Sequence, residues 1–175
     1  MIDLVVALGN PGKAYEKTRH NLGWMVLDAW LGQQPPAWKE RFQGETAEVH
    51  VNGRKLTLLR PHTFMNRSGE SVGRLAAYLN IPAERILVLH DDLELDLGRG
   101  GVRQGGGTGG HKGLRSLSQS LGADFWRMRL GVSRPRFGSV EQWVLSAFSR
   151  QEASLLESVL IEAARCLDAS LPEPG

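Results

Sequence analysis

Apolar and polar positions fall into two alternating rhythms along the chain. Ile2 to Leu8 is a short apolar run of the kind that fills a buried strand. Trp24 to Leu31 follows a helical period, with Trp24, Val26, Leu27, Trp30 and Leu31 predicted inward. Asn21 is the expected cap, and Gln33-Gln34-Pro35-Pro36 the stop. Glu45 to Val51 and Lys55 to Arg60 alternate with a period of two, joined by the strong hairpin turn Asn52-Gly53. A second helix is predicted from about Glu70 to Leu79, with Ser68 and Ser71 near its start, before the continuous apolar run Ile86 to Leu89 of a central strand. Gly98 to Gln104 reads as a glycine-rich strand, Leu114 to Leu121 as a helix and Trp126 to Val132 as a strand. Ser133 to Ser139 is rich in turn residues. Val140 to Phe148 is a short element, Gln151 to Leu167 an amphipathic helix, and Ser170 to Gly175 an expected frayed tail. Strands alternating with helices predict an α/β fold, and neither a repeat nor a dividing linker interrupts residues 1–175.

Composition narrows the class. Hydrophobic residues make up 41% and charged residues 23%, which are globular values. The formal net charge is only +2, so the totals alone do not point to nucleic acid. The distribution does. Arg99 to Arg136 holds eight Lys/Arg and one acid, Asp124, whereas Pro82 to Gly98 holds five acids and one base. A basic segment beside an acidic one suggests a polyanion partner close to a carboxylate that tunes chemistry. Cys166 is the single cysteine, which excludes an intrachain disulfide and fits a reducing cytoplasm. Neither a secretory leader nor an apolar stretch of membrane-spanning length is visible, so a membrane partner is not expected.

Candidate chemistry lies in the segments that follow strands. Asn10, Tyr15 and His20 sit on the first strand-to-helix crossover, stiffened by Asn10-Pro11-Gly12. The central strand delivers His90, Asp91 and Asp92 at its C-terminal end, the ligand side of an open sheet. Gly105 to Gly113, carrying His111 and Lys112, opens a helix and suits an anion, without the spacing of a P-loop or a dinucleotide fingerprint. Arg127 and Arg129 share one face of their strand.

Four motifs in order carry a family resemblance. They are Gly9-Asn10-Pro11-Gly12 with Tyr15 and Thr18 to Asn21, then Thr63-Phe64-Met65-Asn66-Arg67-Ser68-Gly69, then His90 to Leu95, and Gly105 to Leu114. With them the chain resembles bacterial peptidyl-tRNA hydrolases along nearly its whole length. The resemblance implies a single α/β domain whose mixed, mostly parallel sheet is flanked by helices on both faces. It implies an esterase that frees tRNA from prematurely released peptidyl-tRNA, with neither metal nor organic cofactor. The partner implied is peptidyl-tRNA, through its 3′ CCA end, acceptor stem and 5′-phosphate. The enzyme is expected to act in the cytoplasm as a monomer without an obligate protein partner.

The residues can be weighed independently. The chain has no Gly-x-Ser-x-Gly elbow, so direct attack by water is the simpler route. His20 is the best candidate base, since an ordinary imidazole titrates at about 6.5. Asp91 could orient it and stabilise the imidazolium. Asn66 offers an amide to the developing oxyanion, and Asn10, neutral and bidentate, could read a peptide bond. The resemblance assigns like roles to His20, Asp91 and Asn10, and substrate contacts to Tyr15, Phe64 and Asn66. Arg103 and Arg129 resemble the family's basic clamp on the tRNA 5′-phosphate. His111 and Lys112 are expected at the tRNA end, although the family usually has asparagine where this chain has Lys112. That lysine is expected to approach the CCA-end backbone or to swing into solvent. Two rival readings are an RNA-binding relative that does not cleave and, from the glycine loop alone, a nucleotide-binding oxidoreductase.

Overall fold

Residue period translates directly into layers. A computed structural model describes residues 1–171, and its strands form one seven-stranded sheet in the order β2-β3-β4-β1-β5-β7-β6. The strands are β1 (Leu4–Ala7), β2 (Lys39–Arg41), β3 (Gly44–Val51), β4 (Arg54–Pro61), β5 (Ile86–Asp92), β6 (Gly100–Gln104) and β7 (Trp126–Gly131). β4, β1, β5 and β7 pair in parallel, and β2, β3 and β6 add antiparallel pairs outside them. Only β3 and β6 run against the rest. Both apolar runs occupy the middle because a parallel strand buried on both faces needs continuous hydrophobicity.

The helices are α1 (Leu22–Leu31), α2 (Ser68–Leu79), α3 (Lys112–Leu121), α4 (Val140–Val144) and α5 (Arg150–Ser170). Alternate residues of β1 serve opposite cores, as a period of two requires. Val5 and Ala7 pack with Leu22, Val26 and Leu27 of α1 and Leu167 of α5. Leu4 and Val6 pack with Val72 and Leu75 of α2 and Leu117 of α3. On that second face α2 and α3 approach so closely that a Cβ on Gly69 would lie 2.3 Å from the Ser116 carbonyl oxygen. The Gly69 N–H instead donates to Ser116 Oγ at 2.8 Å.

The hairpin, the central strands and the helix order match the sequence pattern, with three local corrections. Asn21 precedes α1 but does not cap it: its side chain accepts from the Asn10 N–H at 2.8 Å and donates to the Asn10 carbonyl at 2.9 Å. Ser68 is the first residue of α2 and donates to the Met65 carbonyl rather than capping. The last helix runs to Ser170, and Leu171 is buried in the core, because its apolar stripe continues against α1. Of the expected frayed tail, residues 172–175 lie outside the described residues.

Candidate active site

The parallel strands end along one edge of the sheet, and the candidate chemistry collects there. β1 runs into Gly9-Asn10, β4 into the His62 to Asn66 turn, and β5 ends in His90-Asp91-Asp92. A cleft of about 740 Å³ opens at this edge, and all the site residues singled out above lie on its wall.

His20 is placed by its neighbour. The buried Arg19 guanidinium lies 3.4 Å over the Trp143 ring. It donates to Ser146 Oγ and Glu152 Oε1, each at 2.5 Å. Glu152 also closes a capping box with Ser149 at the start of α5. The crossover loop is therefore bolted to the segment joining α4 and α5, and His20 faces the sheet edge. Its Nδ1 lies 2.8 Å from Asp91 Oδ2, and His111 Nε2 lies 2.8 Å from Asp91 Oδ1. Burial opposes ionisation of Asp91, but the two imidazoles outweigh it and hold its carboxyl far below the usual carboxylate range.

An ionised carboxylate only accepts hydrogen bonds, so both imidazoles present N–H to it. That fixes two different tautomers. His20 carries its proton on Nδ1, which leaves Nε2 with a free lone pair. His111 carries its proton on Nε2, and its Nδ1 accepts from the Gly113 and Leu114 N–H groups at 3.1 and 3.2 Å, as the N-cap of α3. Of the two histidines on Asp91, only His20 keeps a basic nitrogen unengaged among the described residues. His90 cannot serve: burial first, and His111 second, push it down to about 4, and its Nδ1 donates to the Asp91 carbonyl at 2.9 Å. His20, Asp91 and His111 also have the composition of a metal site, with ligand atoms within 4.8 Å of one another. A cation held by all three would cost at least the His111 Nε2–H bond to Asp91, because His111 Nδ1 already caps α3.

The amides come from either side of the cleft. Asn10 is buried, and its Oδ1 accepts the Met65 N–H at 2.8 Å. Of the two ends of this amide, Oδ1 thus already accepts one hydrogen bond, and Nδ2 makes none among the described residues. Asn66 stands exposed on the turn Met65–Arg67, which Phe64 enters at φ 63° and ψ 160°. A non-glycine residue holds that conformation only under constraint. Here it leaves Phe64 half-exposed at the cleft, its ring edge-on to Tyr15 at 6.1 Å. Opposite, Gly113 lets α3 pack close to this turn, since a Cβ would lie 2.5 Å from Met65 Sδ.

A sequence model described as peptidyl-tRNA hydrolase matches residues 4–173. The chain belongs to the peptidyl-tRNA hydrolase family. A peptidyl-tRNA hydrolase of Rhodospirillum centenum is 48% identical over 179 residues, covering 97% of this chain and 77% of that one. One from Listeria monocytogenes is 46% identical over 151 residues, covering 85% and 81%. The crystal structure of the Acinetobacter baumannii peptidyl-tRNA hydrolase superposes with a TM-score of 0.86 at 36% identity, covering 94% of this chain and 85% of that one.

In this peptidyl-tRNA hydrolase fold the basic residues fall into distinct environments. Arg129 Nε donates to Asp92 Oδ2 at 2.7 Å, whereas Arg103 is exposed and makes no ion pair among the described residues. Lys112 Nζ lies 3.9 Å from Glu141 Oε1 on α4, both exposed. Arg127, on the same face as Arg129, is buried. The sequence placed Arg127 on one strand face with Arg129 without giving it a role, and did not mark His111 as a second partner of Asp91. Nothing local signalled the His111 contact.

Proposed function

We propose that this protein hydrolyses the ester joining a peptide, or an N-blocked amino acid, to the terminal ribose of tRNA, and so recycles tRNA from prematurely released peptidyl-tRNA. The observation that carries the reading is the 2.8 Å contact of His20 Nδ1 with Asp91 Oδ2, which assigns the proton to Nδ1 and leaves Nε2 free on the cleft wall. His20 Nε2 takes a proton from water as the water oxygen adds to the ester carbonyl. Asp91 stabilises the imidazolium that forms. The Asn66 amide donates to the oxyanion, a contribution of about 3 kcal/mol for a well-placed donor. Collapse breaks the bond to the ribose oxygen, which receives the proton from His20, and the products are a free peptide acid and tRNA.

Asn10 supplies specificity in this scheme. With Oδ1 held by Met65, its Nδ2 donates to the carbonyl of the peptide bond preceding the ester, a group that a free aminoacyl ester lacks. Tyr15 and Phe64 give apolar contact, His111 and Lys112 border the CCA end, and Arg103 and Arg129 meet phosphate, including that at the 5′ end. The protein would work in the cytoplasm as a monomer on one tRNA, without metal or organic cofactor or an obligate protein partner. Among the described residues, no helix is long and apolar enough to cross a membrane. The test is release of tRNA by purified protein from N-acetyl-aminoacyl-tRNA compared with unblocked aminoacyl-tRNA. Release of the blocked form alone is expected; binding of both without release would identify an RNA-binding relative instead.

A further inference from the structure

His90 is the third imidazole gathered on Asp91, and the hydrolytic scheme leaves it unused. It is 3% exposed and lies in the cleft wall. Its Nδ1–H donates to the Asp91 carbonyl at 2.9 Å. Its Nε2 is enclosed and meets no donor among the described residues. A buried acceptor without a donor costs free energy that an apolar side chain of like volume would not. Packing alone therefore does not account for an imidazole here. Nor does charge. Arg129, opposite His90 in the β5–β7 register, is already paired with Asp92. Burial, with His111 alongside, keeps the His90 ring neutral.

The backbone shows what the ring does. Along β5 alternate carbonyls face β1. The Leu89 carbonyl accepts from the Leu8 N–H at 3.1 Å. Two residues on, the Asp91 carbonyl faces the same side, where continued pairing would bring the Asn10 N–H. That N–H has left the ladder and donates to Asn21 Oδ1 at 2.8 Å. The strand β1 thus departs where its loop begins to build the site, and the Asp91 carbonyl loses its partner in the sheet. The His90 Nδ1–H takes it up. The same ring stands edge-on to His111, with centroids 5.5 Å apart and planes at 74°. His111 in turn holds Asp91 Oδ1. His90 therefore braces Asp91 twice, at its peptide group and through the histidine on its carboxylate.

We propose that His90 is a positioning residue for Asp91: its Nδ1–H replaces the sheet hydrogen bond lost where β1 departs, and so keeps the carboxylate seated on His20 Nδ1. Without that brace the carboxylate shifts, and the His20 proton redistributes between its two ring nitrogens. The consequence for rate rests on the hydrolase reading; the consequence for the His20 tautomer does not.

Three variants separate the two nitrogens of His90. Asparagine puts an amide N–H where Nδ1 stands, glutamine puts its own where Nε2 stands, and leucine has neither. Each is read by kcat and KM on N-acetyl-aminoacyl-tRNA, with the unfolding midpoint as the control for folding. Each is also read by the nitrogen-15 resonances of the His20 ring in the free protein at about pH 8, above the ordinary imidazole range. His90→Leu is expected to lower kcat about tenfold, the worth of one hydrogen bond, with KM changed less than about twofold. It should also turn the single Nδ1–H form of His20 into a mixture of tautomers. His90→Gln should be as slow. His90→Asn should return kcat to within about threefold of the parent and restore the single tautomer. A purely structural role would lower the unfolding midpoint in all three and leave kcat of the folded protein and the His20 spectrum unchanged, and that result overturns the proposal. Recovery by glutamine and not by asparagine overturns it too, since Nε2 would then be the nitrogen that acts. Should His90→Leu fail to fold, asparagine against glutamine decides alone, and equal kcat with equal spectra refutes the brace. A parent protein that releases no tRNA counts against the hydrolase reading, and the His20 spectrum still decides this one.

Discussion

Replacing Asp91 by asparagine inverts one hydrogen bond, and His111 decides which. The carboxylate accepts from both imidazoles, whereas an amide accepts through one end and donates through the other. Turning the new NH2 toward His111 would require a lone pair on Nε2 and a proton on Nδ1, aimed at the Gly113 and Leu114 N–H groups that cap α3. Losing two such bonds costs about 1–3 kcal/mol each. The amide therefore turns its NH2 toward His20, forcing the proton from Nδ1 to Nε2 and removing the base. Recovering the active tautomer costs about 2–6 kcal/mol, so at about 1.4 kcal/mol per tenfold the rate should fall between about thirtyfold and 10⁴-fold. The assay is kcat for tRNA release from N-acetyl-aminoacyl-tRNA, with the unfolding midpoint as the control for folding. A second substitution makes the reasoning vulnerable. In Asp91→Asn with His111→Ser, serine can still cap α3, but nothing competes for the asparagine oxygen, and His20 can donate to it again. The double variant should be at least tenfold faster than Asp91→Asn alone. A double variant as slow as the single one refutes the tautomer argument.

Arg19→Met should cost about 1–3 kcal/mol of stability in urea unfolding, because it leaves the partly buried Glu152 without its cation and breaks the bolt between the His20 loop and α5. Stability should also fall in acid in two stages. His90 is lowered to about 4 in the folded state, so the unfolded chain binds its proton first, and up to about 1.4 kcal/mol per pH unit is lost as pH falls from about 6.5 toward 4. Urea unfolding at pH 7 and pH 5 should show this loss in the parent and not in His90→Gln. Asp91, Asp92 and Glu152 are held low by their partners against burial, so the stability they contribute above the ordinary carboxylate range is lost as pH falls below about 4. Lys112→Asn should keep or raise turnover and weaken tRNA binding by less than tenfold, with the pH–rate midpoint moving up, and by little because Glu141 already faces the lysine. A lost rate, or a midpoint that falls, would assign Lys112 a catalytic part.

Much of the fold was legible because period and burial are linked by geometry. A strand of parallel sheet covered on both faces must be apolar throughout, and Ile86 to Leu89 could hardly be anything else. Asn52-Gly53 fixed the hairpin, since both residues take positive φ, at 53° and 77°. Asn21 misled because capping rules are local, whereas its actual partner, the Asn10 backbone, is brought beside it by the loop between them. The exposed position of Phe64 was invisible for a related reason. Its left-handed φ is imposed by the turn that delivers the Met65 N–H to Asn10, and no residue in Thr63-Phe64-Met65 announces it.

The candidate site shows where sequence pattern runs out more sharply. His20 and His111 are the same residue type, each on a glycine-containing loop, each bonded to one oxygen of the same carboxylate. The sequence favours His20 for its loop stiffened by Asn10-Pro11-Gly12, but residue type does not separate the two as bases. The asymmetry arises because His111 stands one residue before α3, where the exposed N–H groups of the first turn claim its remaining lone pair. His20 precedes α1 by two residues and lies inside the 3-10 turn Arg19–Asn21, so its ring faces the cleft and leaves the helix start alone. The identity of the base is thus decided by which histidine a helix has already used, and that depends on backbone direction, not on residue type.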